Sequence, residues 1–164
     1  MILLKFKTEI KGDSTVKNHE NWIALTGINF SCGRLISLTS TGVDRETSTP
    51  SFTDVQCAKE IDIASVELFN QSICGKSLTE AEIHFLQTGG KDAGQVYLKM
   101  FLTDPIVTSY NQSATSGSRI QETFALNFTG IKLEYTQFSG EAVMTASPKG
   151  WNRLTGNSEF KKAA

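Results

Sequence analysis

The sequence is poor in the residues that catalysis and metal binding usually need. Its 164 residues include two histidines and three cysteines. Zinc sites usually show closely spaced Cys or His pairs, whereas these cysteines are far apart. The Asp and Glu residues form no calcium-loop pattern, and no G-x-S-x-G segment is present. We therefore expect no catalytic residue, no metal and no cofactor, and we predict that the protein is not an enzyme.

The cysteines are also too few for a disulfide framework. Cys32, Cys57 and Cys74 are odd in number and scattered, so we expect buried, reduced thiols. His84 lies in a predicted strand and is expected to be structural, and His19 lies in a polar turn and is expected to hydrogen-bond there. Since Cys and His partners can meet only in the fold, a cysteine hydrolase stays a distant alternative.

Charge, motifs and hydropathy argue against a nucleic-acid-binding, nucleotide-binding or membrane-spanning protein. The net charge is -1, which gives no reason to expect nucleic acid or an anionic membrane as the partner. Gly75, Lys76 and Ser77 match the end of a phosphate loop but follow a helix instead of opening one. No apolar run approaches the roughly 20 residues of a membrane span, and Lys5 and Lys7 interrupt the first apolar residues. We expect folding in the cytoplasm and no membrane insertion, and any export must use a route other than a cleaved signal peptide.

The pattern of the chain is mainly that of short strands. The length fits one domain over residues 1–164, with a frayed tail from about residue 155. The alternation of side chains between the two faces of a strand is clearest over residues 95–103. Residues 22–31 are predicted to form one strand, with a β-bulge or a close backbone approach at Gly27. Residues 139–149 read as a loop. Residues 34–51 read as a long exposed loop or hairpin, which is often functional.

One segment breaks the two-residue period. Across residues 62–74, Val66, Phe69 and Ile73 recur at spacings of three and four, which predicts one face of a helix. Asp62 or Ser65 suits the start of this helix, and Gly75 suits its end. Seven or eight strands with one helix predict a mainly antiparallel barrel or sandwich.

Five segments, in order, carry a family resemblance. They are residues 12–23 (GDSTVKNHENWI); residues 61–76, with Ile61-Asp62, Ala64-Ser65, Leu68 and Gly75-Lys76; residues 86–110, with LQTGG, YLKMFL and VTSY; residues 121–135, with QET, LNF and IKLEY; and residues 150–152 (GWN). This order strongly resembles the haemolysin-coregulated protein (Hcp) family of the type VI secretion system. The chain departs from the family pattern at Val66, where proline is usual, and at Ile28 and Phe30, near which tryptophan is frequent.

The resemblance implies a closed antiparallel β-barrel with one flanking helix and a long extended loop. It also implies a homo-hexameric ring that stacks into the inner tube of the machine. Partners would be the contractile sheath, the spike protein and effectors carried in the lumen. The alternatives are a small-ligand-binding barrel and a phage tail-tube subunit.

Two candidate contact sites follow from this expectation. In the loop of residues 37–50, Asp44, Arg45 and Glu46 are predicted to contact a neighbouring ring or subunit. Asn29 lies between Ile28 and Phe30, so alternation directs it to the opposite face, where it would contact cargo if that face lines the lumen. Trp22 and Trp151 are expected to be packing residues.

Overall fold

The computed structural model describes residues 1–8, 10–36, 48–87, 94–139 and 142–158. The described part of the chain is mainly β with one helix, which confirms the predicted mainly β class. The strands are β1 (Ile2–Phe6), β2 (Ile23–Leu25), β3 (Gly27–Asn29), β4 (Cys32–Gly33), β5 (Ser51–Phe52), β6 (Val55–Glu60), β7 (Glu80–Gln87), β8 (Gln95–Thr103), β9 (Ile106–Ser113), β10 (Gln121–Asn127), β11 (Gly130–Ser139), β12 (Ala142–Thr145) and β13 (Lys149–Asn152); the helix is α1 (Ser65–Cys74). No helix in the described ranges is long and apolar enough to cross a membrane.

Three antiparallel sheets hold these strands. The large sheet has the order β12-β11-β8-β7-β1-β2, with β13 also paired to β11, and the small sheet has the order β3-β6-β10-β9. Strands β4 and β5 form a separate ribbon. The predicted closure of the sheet into a barrel is not confirmed, because among the described residues no ladder joins the large sheet to the small one.

The chain instead passes between the two sheets at corners. Strand β2 belongs to the large sheet and β3 to the small one, with only Thr26 between them. Asp104 and Pro105 make the corner from β8 to β9, and Phe128 and Thr129 make the corner from β10 to β11. The predicted single strand over residues 22–31 is therefore two strands, because its halves pair with different sheets.

The core is formed by the facing sides of the two sheets. Alternate residues of the large sheet, such as Phe6 and Ile83, pack in one cluster with Val55 and Phe124 of the small sheet. All four are 2% exposed or less, and each large apolar side chain buried in this way contributes about 1.5–3 kcal/mol. An interior filled by side chains does not favour the alternative of a small-ligand-binding barrel.

Two expectations about local structure are wrong. Residues 142–145, expected to be loop, form β12 and pair with β11 from Thr136 to Ser139. The cysteines are free, but only Cys57 is buried, and Cys32 and Cys74 are exposed. Cys57 alternates with exposed Gln56 on β6, so strand register explains its burial.

Candidate assembly surface

Helix α1 is set against the small sheet by its ends as well as by its packing. At its start the Asp62 carboxylate accepts a hydrogen bond from the Ala64 amide at 2.9 Å, and the Ser65 hydroxyl accepts one from the Asp62 amide at 3.0 Å. At its end Gly75 adopts the left-handed conformation, with φ 51°, and donates its amide hydrogen to the Gln71 carbonyl. The predicted helix and its predicted ending are confirmed.

The apolar stripe of α1 faces away from the core. Val66 is 78% exposed and Ile73 is 67% exposed, with Phe69 between them and Ile63 just before the helix also exposed. The face toward the sheet buries only Ser65 and Leu68 within the helix. Sequence periodicity therefore identified the helix correctly, but the apolar face that it identified lies on the surface and not in the core.

A buried charge network holds the helix in this orientation. The Lys59 ammonium lies 2.9 Å from the Glu122 carboxylate, 2.7 Å from the Asp62 carboxylate and 3.0 Å from the Ser65 hydroxyl. The hydroxyls of Ser65 and Tyr110 each donate to Glu122 at 2.7 Å. The network joins β6, β10 and β9 to the start of α1, so the helix cannot rotate its apolar stripe inward without unpairing buried charges.

The protonation states of this network follow from the same contacts. Burial alone would raise the pKa of Glu122, but the hydrogen bonds from Lys59, Ser65 and Tyr110 outweigh it and lower the pKa below its usual value. Burial and the bond to Glu122 raise the pKa of Tyr110, which keeps the phenol protonated. The cluster is thus a fixed ion pair with a neutral donor beside it.

An open groove lies next to the exposed stripe. Its volume is about 440 Å³, and it is lined by Ile61, Ser65, Val66, Phe69, Tyr110 and Gln112. The rings of Phe69 and Tyr110 meet edge to face, with centroids 5.9 Å apart. We call this surface the α1 groove. An apolar groove with an aromatic floor and a polar rim suits a protruding apolar side chain of a partner.

A second exposed apolar surface lies on the hairpin of β11 and β12. Val143 is 62% exposed and Met144 is 69% exposed. Residues 130–135 of β11 pair with β8, whereas β12 pairs with β11 only from residue 136 onward. The hairpin therefore extends beyond the described pairing with β8 and presents apolar side chains on both of its faces. We call this surface the β12 hairpin.

Comparison with known proteins decides the family. The profile of the family described as "Type VI secretion system effector, Hcp" matches residues 3–135. The chain belongs to the Hcp family. Hcp proteins are structural tube proteins, so this chain is not an enzyme. No curated protein sequence gives a significant match.

Solved Hcp structures share the fold. Hcp1 from Salmonella typhimurium is 25% identical, with a TM-score of 0.76 and 97% of each chain covered. A structure described as a type six secretion system protein is 24% identical, with a TM-score of 0.88, covering 96% of this chain and 98% of the other. A type VI secretion system effector from Yersinia pestis is 21% identical, with a TM-score of 0.72, covering 93% of this chain and 99% of the other.

Of the two contact sites predicted for this Hcp chain, one is described. Asp44, Arg45 and Glu46 lie outside the described residues. Asn29 ends β3, is exposed, and pairs with Gln56 of β6, while Ile28 and Phe30 pack against the core. Asn29 thus has the outward orientation that alternation predicted, and its contact with cargo stays a prediction.

Sequence reasoning missed two features of this Hcp chain. The β12 hairpin gave no signal, since residues 139–149 lack alternation. His19 and His84, each treated as a separate structural residue, are hydrogen-bonded to each other at 2.8 Å. Only the fold brings these two rings together, because 65 residues separate them. Trp22 is buried and Trp151 packs against the core, as expected.

Proposed function

We propose that the chain is a subunit of the inner tube of a type VI secretion system, assembling head to tail into six-membered rings that stack. The observation that supports this best is the apolar stripe of α1, which the buried network of Lys59 and Glu122 keeps pointed outward. A partner of the same sequence would cover it. In such a ring the barrel would be completed, and its exposed strand edges would be covered by neighbours.

We further propose that the β12 hairpin of one subunit enters the α1 groove of the next. The two surfaces are different parts of the chain, so their contact is heterologous and repeats around a ring when the rotation closes. Met144 and Val143 supply protruding apolar side chains, and Phe69 and Tyr110 supply an aromatic groove. Methionine adapts well to such aromatic surroundings.

The test replaces one surface at a time. Val66→Asp places a carboxylate in the α1 groove, and Met144→Asp places one on the β12 hairpin. Because both side chains are exposed in the monomer, each variant should fold normally while assembly weakens about 10- to 100-fold. Ser116→Asp, in the exposed turn after β9, adds the same charge away from both surfaces and is the matched control. Light scattering and negative-stain electron microscopy measure the ring population.

Mixing the two variants tests the pairing itself. Each retains one intact surface, so an equimolar mixture of Val66→Asp and Met144→Asp should form dimers that neither forms alone. Rings of normal stability in the Val66→Asp variant would contradict the role of the groove. Absence of dimers in the mixture would contradict the pairing of groove and hairpin, although the ring itself would stand.

The contacts between stacked rings and with effectors are proposed from the resemblance to the Hcp family. Asp44, Arg45 and Glu46 would join stacked rings, so Arg45→Glu should leave single rings intact and shorten the tubes seen by electron microscopy. Asn29 would contact effectors in the lumen, and Asn29→Ala should lower their co-purification with the rings. Sheath and spike proteins complete the machine, which would export this subunit from the bacterial cytoplasm without a cleaved signal peptide. Unchanged tube lengths would contradict the role of the loop.

A further inference from the structure

Two buried imidazoles fasten the loop of residues 12–22 to the large sheet. His19 lies in this loop and His84 lies on β7. A hydrogen bond of 2.8 Å joins Nε2 of His19 to Nδ1 of His84. Both rings pack against the indole of Trp22, with centroids 4.7 and 4.6 Å from it. His19 is 7% exposed and His84 is 9% exposed. The contact is therefore shielded from water and sensitive to any added charge.

The hydrogen-bond geometry determines how many protons this pair can hold. His19 Nδ1 lies 3.4 Å from the Lys17 carbonyl, which only accepts, so Nδ1 carries the proton. His19 Nε2 then accepts from the N–H of His84 Nδ1. His84 Nε2 lies 3.5 Å from the Glu82 carboxylate, which can only accept a hydrogen bond. A second proton, on His19 Nε2, would set two N–H groups against each other and break the bond.

Charges of both signs surround the pair. The ammonium groups are those of Lys5 on β1, Lys7 just after it and Lys99 on β8, and the carboxylates are those of Glu80 and Glu82 on β7 and Glu20 in the loop. Burial is the main cause that lowers the pKa of His19. His84 and Lys99 lower it further, against the Lys17 carbonyl and Glu20. His19 therefore stays neutral at neutral pH and takes up a proton only in acid.

The loop has backbone hydrogen bonds of its own. Its own backbone closes it, since Gly12 donates to the Asn21 carbonyl at 2.8 Å and Asn21 donates to the Ser14 carbonyl at 2.8 Å. Below it, Trp22 packs with Leu3 and Leu86 of the sheet in a small apolar cluster. The ring-to-ring bond and this cluster together attach the loop side chains to the sheet, so both contacts must part when the loop is released.

We propose that the pair of His19 and His84 is an acid-sensitive latch, which holds residues 12–22 on the large sheet at neutral pH and releases them when both rings are protonated. This goes beyond the function of a tube subunit. In the released form Leu3 and Leu86 lose the cover of Trp22, so an acidic compartment would expose a new apolar surface on the same subunit.

Hydrogen–deuterium exchange tests the latch on the full chain. Protection of the amides of residues 14–22, corrected for the intrinsic effect of pH, should fall about tenfold between pH 7.5 and pH 5, while β8 and β10 stay protected. His19→Gln should release the loop at both pH values. Glu82→Gln removes the carboxylate beside His84 Nε2, which favours a positive charge on the pair. In this variant the loop should therefore be released only at lower pH. Equal loop protection at both pH values in the unmodified chain would overturn the proposal.

A second measurement covers the case in which His19→Gln does not fold. Nitrogen-15 spectra of the two imidazoles in the unmodified chain report the tautomer and the titration of each ring. We expect the His19 ring to take up its second proton only as the loop opens. Two independent titrations, each near the ordinary histidine value of about 6.5, would equally overturn the latch.

Discussion

Replacing Lys59 by methionine tests the claim that the buried network orients α1. The ammonium is fully buried and pairs with Glu122 at 2.9 Å, so the substitution leaves the carboxylate without its cation. Removing one partner of a buried ion pair costs about 3–5 kcal/mol. Ser65, Tyr110 and Gln112 still donate to Glu122. We therefore expect the free energy of unfolding to fall by an amount at the lower end of this range, about 3 kcal/mol at pH 7.

The pH dependence makes this prediction more specific. In the unmodified chain the lowered pKa of Glu122 gives stability that is full above the unfolded value of about 4.5 and is lost as pH falls through the folded value. Without Lys59, burial acts with less opposition and the pKa of Glu122 should rise. As pH falls, the folded variant therefore binds a proton more readily than its unfolded form does. The difference in stability between the variant and the unmodified chain should shrink toward pH 4.5.

Urea denaturation followed by tryptophan fluorescence measures both effects. Protein concentration must be equal in all samples, because assembly adds to apparent stability. The double variant Lys59→Met with Glu122→Gln is the control, and it should be more stable than Lys59→Met alone by at least about 1 kcal/mol, since the fully buried carboxylate is then a neutral amide. A loss below about 1 kcal/mol at pH 7, or a deficit that grows in acid, would refute the reasoning.

Three smaller predictions follow from single positions. A Cβ at position 12 would lie 2.4 Å from the Trp22 carbonyl oxygen and 2.5 Å from the Ile23 Cα; Gly12→Ala should therefore cost about 2–3 kcal/mol in urea denaturation, and a neutral substitution would refute the contact. Gly75→Ala should cost about 1 kcal/mol in the same assay, because φ there is 51°; a stabilised variant would contradict this. Burial raises the pKa of Cys57 to about 12, so Ellman's reagent at pH 8 should label the two exposed cysteines of the native protein and Cys57 only after denaturation. Rapid labelling of all three in the native state would refute its burial.

Much of the fold could be predicted because alternation and turn residues are local signals. Strand β8 coincides with residues 95–103, where the alternation is clearest, and Gly75 ends the helix where expected. Strand β12 could not be predicted, since residues 142–145 are held by pairing with β11 and not by a pattern of their own. The division of residues 22–31 was missed for a similar reason, because the sheet that each half joins is a non-local choice.

The candidate site was predictable only in part. Periodicity identified Val66, Phe69 and Ile73 as one helical face. The period shows which residues share a face, but it does not show whether that face packs on the core or is exposed. The outward direction comes from Lys59 and Glu122, which lie on neighbouring strands 63 residues apart and meet only in the folded sheet. Their pairing has no signature in a single sequence.

The sequence by itself determined the mainly β class, the position of the helix, the family and the absence of catalytic motifs, since these depend on residue types and short spacings. Tertiary structure alone decided the direction of the α1 stripe, the exposure of the β12 hairpin and the contact of His19 with His84. The physical reason is the same in each case. Burial and hydrogen bonding are set by which segments become neighbours in the fold, and the partners of the two residue pairs lie 63 and 65 positions apart in the chain.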